Sequence, residues 1–288
     1  MRKISTKSGL AIVALLTTLA ACGEITDEDR QLNGTMNVID ASDMNDIMLN
    51  FADPNEAVIY FETALNNEPG RLDFKRGLAK SLMNARRHSE AVLVYEQIEK
   101  SGQANNEDRL DMADAYIRGG GWDEAQAQLN AIPPTYETYD RYRLEAIVAD
   151  HNKQWEKADS FYDIARGLTT SPANVLNNWG FSKRIRGDNQ AAAELFREAL
   201  RNNPNLTTAK TNLVIVRALD GNYRLPVIPM NEPERAVLLF EIARIAIQRR
   251  DCDVAAGLMQ EAIDTHPQHF EAAVAALEDL NSSSCRQT

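Results

Sequence analysis

Cysteine and histidine are scarce in this chain of 288 residues, which has three cysteines and four histidines. Three cysteines are too few for a disulfide framework or a zinc ribbon. His88 and His151 lie far apart in the sequence, and His266 and His269 flank a proline. A metal site needs three or four converging ligands, so we expect no metal ion.

Sequence motifs of catalysis are also missing. The chain has no Ser-His-Asp order, no glycine-rich phosphate loop and no zinc-protease pattern. Its densest acidic run, Asp27-Glu28-Asp29, lies in a polar segment and is interpreted as solvated charge. We therefore expect neither enzymatic activity nor a cofactor.

The chain does not have an excess of basic residues, because its formal net charge is −11. Such a charge repels the phosphates of nucleic acid and anionic lipid on average. The sequence therefore predicts no nucleic-acid partner.

The N-terminus has the layout of a secretory signal. Three basic residues come first, and a short apolar run then extends from Leu10 to Ala21, about half the length of a membrane-spanning helix. The following Leu19-Ala20-Ala21-Cys22 resembles the bacterial lipoprotein box, which implies cleavage before Cys22 and fatty acylation, including palmitate, at that residue. A plain secretory signal with an incidental cysteine is the alternative.

The resemblance to lipoproteins also implies a location. Gly23 stands where enteric lipoproteins of the inner membrane carry Asp, so we expect a lipid anchor in the bacterial outer membrane that faces the periplasm. Residues 22–37 are polar and lack periodicity, which is typical of a flexible tether.

The segment from Val175 to Pro204 reads VLNNWGFSKRIRGDNQAAAELFREALRNNP. Apolar residues recur at three- and four-residue intervals on both sides of a Gly187-Asp188 turn, which predicts helices over 173–186 and 189–202. Gly180 is small, as close contact between two antiparallel helices requires. Pro204 ends the second helix.

The same pattern recurs at intervals of about 34 residues, the period of tetratricopeptide repeats. It predicts an all-α, right-handed solenoid of antiparallel helix pairs, A and B, with a C-terminal capping helix. The B-helix positions that match are Ala57, Phe61 and Ala64; Ala91, Tyr95 and Ile98; Ala125, Leu129 and Ile132; Ala158, Tyr162 and Ala165; Ala192, Phe196 and Ala199; and Ala255, Met259 and Ala262.

One irregularity interrupts the repeats after Pro204. Pro226, Pro229 and Pro233 fall where the next B helix should begin, and proline is not compatible with the interior of a helix. The predicted organisation is a signal peptide over 1–21, the tether over 22–37, five repeats over 38–206, a lone helix and proline-rich loop over 207–233, a final repeat and capping helix over 234–280, and a tail over 281–288.

The A helices of such a solenoid line its concave surface. The resemblance to tetratricopeptide repeats implies that positions 2, 5, 9 and 12 of each A helix face it. Asparagine could bind a peptide backbone there, while arginine and lysine bind its carboxylates. Solvated surface residues are the alternative interpretation. The candidate groove residues are Arg76, Lys80, Arg143, Asn174, Asn177, Phe181 and Arg184.

The two C-terminal cysteines are candidates for a disulfide bond. Cys252 lies in the last A-to-B turn, and an antiparallel capping helix would return Cys285 towards that turn. The predicted oxidising compartment would permit the bond. Two unpaired thiols are the alternative.

The whole pattern resembles the TadD lipoproteins of tight-adherence (Flp) pilus systems. The more specific features are the lipoprotein box, the segment ALDGNYRLPVIPM and the closing HPQHFEAAVAALEDL; a weak first repeat and Lys183, where an aromatic residue is usual, depart from the pattern. The resemblance implies a pilotin-like factor that binds a secretin or another pilus-assembly component. The alternatives are an adaptor for peptidoglycan enzymes or a subunit of another envelope complex, such as one that inserts outer-membrane proteins.

Overall fold

The computed structural model describes residues 43–282, and every regular element in that range is an α-helix. The chain divides after Asp53 into two units. Helix α1 covers residues 43–50 in the first unit. The second unit contains α2 (Pro54–Asn67), α3 (Leu72–Asn84), α4 (His88–Lys100), α5 (Asn106–Gly119), α6 (Trp122–Asn130), α7 (Tyr139–His151), α8 (Trp155–Gly167), α9 (Ala173–Ile185), α10 (Asn189–Asn202), α11 (Thr207–Leu219), α12 (Glu232–Gln248), α13 (Cys252–Thr265) and α14 (Glu271–Ser282).

Several predictions concern residues outside this range. The signal peptide, the lipidation site Cys22, the tether and Cys285 lie there and stay predictions. Between residues 43 and 282, no helix has the length and apolar character needed to cross a membrane.

The helix pair predicted around the Gly187-Asp188 turn is present as α9 and α10. The observed bounds, Ala173–Ile185 and Asn189–Asn202, differ from the predicted ones by one residue. The side chain of Asp188 accepts a hydrogen bond from the backbone of Ala191 and so caps α10. The 3.6-residue period of the apolar positions therefore predicted this local structure correctly.

The A-to-B turns share one backbone conformation. The residue before the last turn position has a positive φ in each of them, a conformation that glycine adopts most readily. Glycine fills this place in two turns, but arginine or lysine does so in the other three, which the sequence pattern did not indicate. The residues are Arg86, Gly120, Lys153, Gly187 and Arg250.

Alanines and large apolar residues that recur on the B helices of successive repeats form the core. The alanines pack at helix contacts, and the large side chains fill the space beside them, so the pattern is a packing requirement, as predicted. Exposure is 2% or less at Ala57, Phe61, Ala91, Tyr95, Ala125, Leu129, Ala158, Tyr162, Ala192, Phe196, Ala255 and Met259.

The helices pack in a repeating order. Each helix of the second unit contacts the next one along the chain, and A helices also contact A helices of the following repeat, as α3 contacts α5, α5 contacts α7 and α9 contacts α11. The A helices thus form a continuous surface, which we call the A-helix face.

The irregular segment separates α11 from α12. Helix α12 begins at Glu232, two residues before the predicted start, and Pro233 lies in its first turn. Proline is compatible with that position because the first N–H groups of a helix have no intrahelical acceptor. Asn231 and Glu234 close a capping box at the same end.

Helix α14 covers the C-terminal end of the second unit, where it packs on α12 and α13. Ala273 and Leu280 are buried in these contacts, which provides the capping function that an apolar solenoid end requires. Cys252 is disulfide-bonded. Because Cys285 lies outside the described residues, its pairing with Cys252 remains a prediction.

Candidate peptide-binding face

The A-helix face is built from residues that recur at three- and four-residue intervals. On α7 these are Asp140, Arg143, Ile147 and Asp150, which lie on one side of the helix because four residues complete about one turn. Two concavities border this row of residues, one on each side of α7.

The first concavity lies between α5 and α7 and has a volume of about 250 Å³. We call it the acidic groove, because four carboxylates and one guanidinium are the charged groups in its wall. These residues are Glu107, Asp111, Asp114, Asp140 and Arg143.

The carboxylate of Asp111 in the acidic groove has a raised pKa. Burial raises its pKa to about 6, although Lys80 and a hydrogen bond from the Tyr95 hydroxyl act in the opposite direction. The nearby charge of Glu107 raises the pKa further. The elevated pKa therefore reflects mainly the desolvation of the Asp111 carboxylate and only secondarily the neighbouring negative charge.

The second concavity lies between α7 and α9, beside the start of α6, and has a volume of about 310 Å³. We call it the apolar groove. Phe181 and Ile185 in its wall are 44% and 53% exposed. The indole of Trp122 stacks on the His151 ring with centroids 3.9 Å apart. The remaining lining residues are Ile147, Asp150, Tyr162 and Asn178.

A hydrogen-bond network fixes the floor of the apolar groove. Asp150 accepts hydrogen bonds from the hydroxyls of Tyr162 at 2.9 Å and Ser182 at 2.6 Å. Burial raises the pKa of Asp150. These bonds join α7 to α8 and α9, so the groove has a defined shape without a ligand.

Two of the predicted cationic groove residues have partners on the next A helix. Arg76 forms a bidentate salt bridge with the buried Asp108, with both bonds at 2.7 Å. Lys80 donates to Glu107 at 3.1 Å. Because these bonds link successive repeats, Arg76 and Lys80 have a structural role on this face.

Arg143 also has an acidic neighbour, since its Nε lies 3.3 Å from an oxygen of Asp140. In contrast, the Arg184 guanidinium lies over the Phe181 ring at 4.6 Å, and its Nε is buried without a hydrogen-bond partner among residues 43–282. Burial lowers the pKa of Arg184.

The predicted asparagines lie on α9. Asn177 accepts a hydrogen bond from Asn212 of α11 at 3.0 Å, and Asn174 is exposed. The structure thus places all seven predicted residues on the A helices α3, α7 and α9. Their role in binding a peptide stays a prediction.

Other residues of the face did not emerge from the sequence. The positions used for the other A helices would have selected Glu107 and Asp114 on α5. Trp122 begins α6 and His151 ends α7, and only the packing of neighbouring repeats brings them together at the groove. Within the described residues, no cluster of three or more His, Cys, Asp or Glu could hold a metal ion.

Comparisons with known proteins define the fold. No protein-family model matches the chain. A 62-residue segment is 36% identical to the mouse tetratricopeptide repeat protein 21B; it makes up 22% of this chain and 5% of that protein.

Three solved structures resemble the chain at 12–16% sequence identity, a level at which similarity supports the fold alone. The Cut9–Hcn1 complex of APC/C gives a TM-score of 0.57, with 13% identity over 79% of this chain and 46% of that one. A tetratricopeptide repeat protein from Parabacteroides merdae gives 0.55, with 12% identity over 88% and 98%. The human IFIT1 dimer with m7Gppp-AAAA gives 0.59, with 16% identity over 82% and 60%.

Proposed function

Because the chain folds as a solenoid of tetratricopeptide repeats, we propose that it is a scaffold that binds a segment of another protein on its A-helix face. The observation that carries this proposal is the apolar groove, where Phe181 and Ile185 are exposed beside fixed hydrogen-bonding groups. An exposed apolar cluster rimmed by polar groups is typical of an interaction site.

The apolar groove can bind a protein segment without a chemical step. Apolar side chains of a ligand would be removed from water against Phe181 and the stacked Trp122, and the amide of Asn178 could bind a peptide group. Since Asp150 already holds the groove in shape, little ordering would accompany binding.

At a finer level, we propose an outer-membrane lipoprotein that faces the periplasm and acts in Flp (Tad) pilus assembly. The support comes from the sequence, namely the lipoprotein box at Cys22 and the resemblance of the segments around Leu225-Pro226 and Phe270 to TadD proteins. An adaptor for peptidoglycan enzymes is the second candidate, because the same anchor and the same groove would serve it.

A photocrosslinking amino acid at position 178 tests the proposed partner. In the bacterium that produces the protein, we expect a crosslink to a secretin or another pilus-assembly component, because Asn178 lines the apolar groove. The products would be identified by mass spectrometry of the gel-shifted band.

The matched control places the crosslinker at Leu93, which is 57% exposed on the B helix α4. Crosslinks to wall hydrolases at position 178 would support the second candidate instead. Identical products at both positions would contradict binding at the A-helix face.

The proposed lipid anchor predicts the distribution of a Cys22→Ser variant. Without the thiol that receives the lipid, the protein should lose radiolabelled palmitate and leave the outer-membrane fraction for a soluble one. One acyl chain gives only marginal membrane binding, whereas several anchor a protein stably. Unchanged fractionation of the variant would contradict the anchor.

A further inference from the structure

We propose that the segment bound by the A-helix face carries a lysine or arginine close to a bulky apolar side chain, the first placed in the acidic groove and the second in the apolar groove. This inference rests on the proposed function, since it specifies the chemistry of the ligand. It also reverses the sequence-based expectation that cations of the face would bind ligand carboxylates.

The charge of the acidic groove favours a cationic residue. Its wall contains four carboxylates, and Arg143 is the cation among its lining residues. Lys80, at the edge, is shared by Glu107 at 3.1 Å and Asp111 at 3.8 Å. Three cations, namely Lys80, Arg118 and Arg143, thus pair with the four carboxylates, and a ligand cation would complement the remaining negative charge.

One member of each ion pair of the remaining two carboxylates lies towards solvent. Asp114 pairs with Arg118, whose side chain is 51% exposed, and the side chain of Asp140 is itself 63% exposed beside Arg143. Exposed pairs of this kind contribute little and rearrange easily. They leave the carboxylates available to a cation that enters the groove.

The adjacent cations argue against an acidic ligand. Arg76 forms a bidentate bond with the buried Asp108, and Lys80 is held by Glu107 and Asp111. An acidic peptide would have to displace these inter-repeat bonds and would meet the carboxylates of α5. The apolar groove adds the second requirement, because Phe181 and Ile185 offer mainly apolar contact.

The arrangement of the grooves limits the spacing of the two ligand side chains. Arg143 lines the acidic groove and Ile147 the apolar groove, and these residues are one helical turn apart on α7. One turn is about 5 Å along the helix, and neighbouring helices are about 8–10 Å apart. An extended peptide at about 3.3 Å per residue therefore requires a separation of roughly two to four residues.

Selection from a random library of 12-residue peptides displayed on phage tests the inference. The full chain, purified in detergent, is the target. We expect the enriched peptides to place Lys or Arg two to four residues from Phe, Trp, Leu or Met. One enriched peptide is then synthesised, together with variants in which the cation becomes Glu or the apolar residue becomes Ser, and affinities are measured by fluorescence anisotropy.

Two protein variants localise the effects. Asp114→Asn combined with Asp140→Asn should weaken binding of the parent peptide about three- to tenfold and should strengthen binding of the Glu peptide, because two repelling carboxylates are neutralised. Phe181→Ala should weaken the parent peptide but not the Ser peptide. The controls are Glu194→Gln on α10 and Leu93→Ala on α4, which remove an exposed carboxylate and an exposed apolar side chain from B helices.

The outcomes separate this inference from the proposed function. The enriched peptides could be acidic, or could lack the paired residues, and still require Phe181 for binding. That result would overturn the inference and retain peptide binding. Peptides that bind the face variants and the controls equally, or no enrichment at all, would overturn both. Circular dichroism of each variant establishes that the fold is intact.

Discussion

Gly77→Ala is expected to lower the melting temperature of the protein by about 3–10 °C, because it forces a methyl group into a filled contact. A Cβ atom at position 77 of α3 would lie 2.2–2.6 Å from ring carbons of Phe61 on α2. The Phe61 side chain is 0% exposed. Neither the ring nor the helix can move without disturbing the contact between the first B helix and the next A helix.

A graded series of glycines supports this interpretation. At Gly180, the corresponding distance to the Phe196 ring is 2.7 Å, so Gly180→Ala should have a smaller effect of the same sign and Gly180→Leu a larger one. Gly257 of α13 has no atom within 4 Å of an added Cβ. Gly257→Ala should therefore be neutral or stabilising by up to about 1 kcal/mol, the helix propensity difference.

Circular dichroism at 222 nm during heating measures the melting temperatures of all four variants. Equal melting temperatures for the variants at positions 77 and 257 would show that the close packing of α2 on α3 does not limit stability. Loss of signal before heating in the variant at position 77 would agree with the prediction, provided that the variant at position 257 folds.

Glu234→Ala is the second change for which we expect a large effect. Lys210 of α11 is 2% exposed, and its ammonium donates to both oxygens of Glu234 at 2.9 and 3.0 Å across the proline-rich loop. Removing the carboxylate leaves a buried charge without its partner, which costs about 2–4 kcal/mol of unfolding free energy when one side of the pair is partly exposed.

Two further variants separate the charge from the cap. Asn231→Ala removes a capping group of α12 and keeps the ion pair, so it should cost about 1 kcal/mol. Lys210→Met replaces the buried cation with an apolar chain of similar length and leaves Glu234 able to reach water, so it should cost less than Glu234→Ala. Equal losses for Glu234→Ala and Asn231→Ala would attribute the whole effect to capping.

The ion pair also predicts a pH dependence. The hydrogen bond from Lys210 lowers the pKa of Glu234 below its usual value, against the opposing effect of burial. A lowered carboxylate pKa stabilises the folded state above the unfolded pKa, and the contribution is lost as the pH falls through the folded pKa. Chemical denaturation should show that the difference in unfolding free energy between the native chain and Lys210→Met becomes smaller as the pH falls from 7 to 3.

The sequence predicted local structure well where short-range periodicity controls it. The bounds of α9 and α10 and the buried alanines at 34-residue intervals follow from which residues share a helical face. Gly180 was identified because its partner Phe196 belongs to the same helix pair. Gly77 was missed because Phe61 belongs to the preceding repeat.

The partners of the predicted groove residues required the structure for the same reason. Arg76 has its salt bridge to Asp108 on the next A helix, 32 residues along the chain, and Trp122 meets His151 only where two repeats pack together. Residue type and position on a helix indicate which side chains face outward. They do not indicate how the neighbouring helix neutralises or covers them.

The amino-acid sequence by itself determined the helix pairs and their period, because both follow from contacts within one helix or between adjacent helices. Only the tertiary structure decided that carboxylates of α5 and α7 share one groove and that Phe181 borders another. The physical reason is that these properties depend on the rotation and separation of A helices more than 30 residues apart, which side-chain packing between repeats fixes.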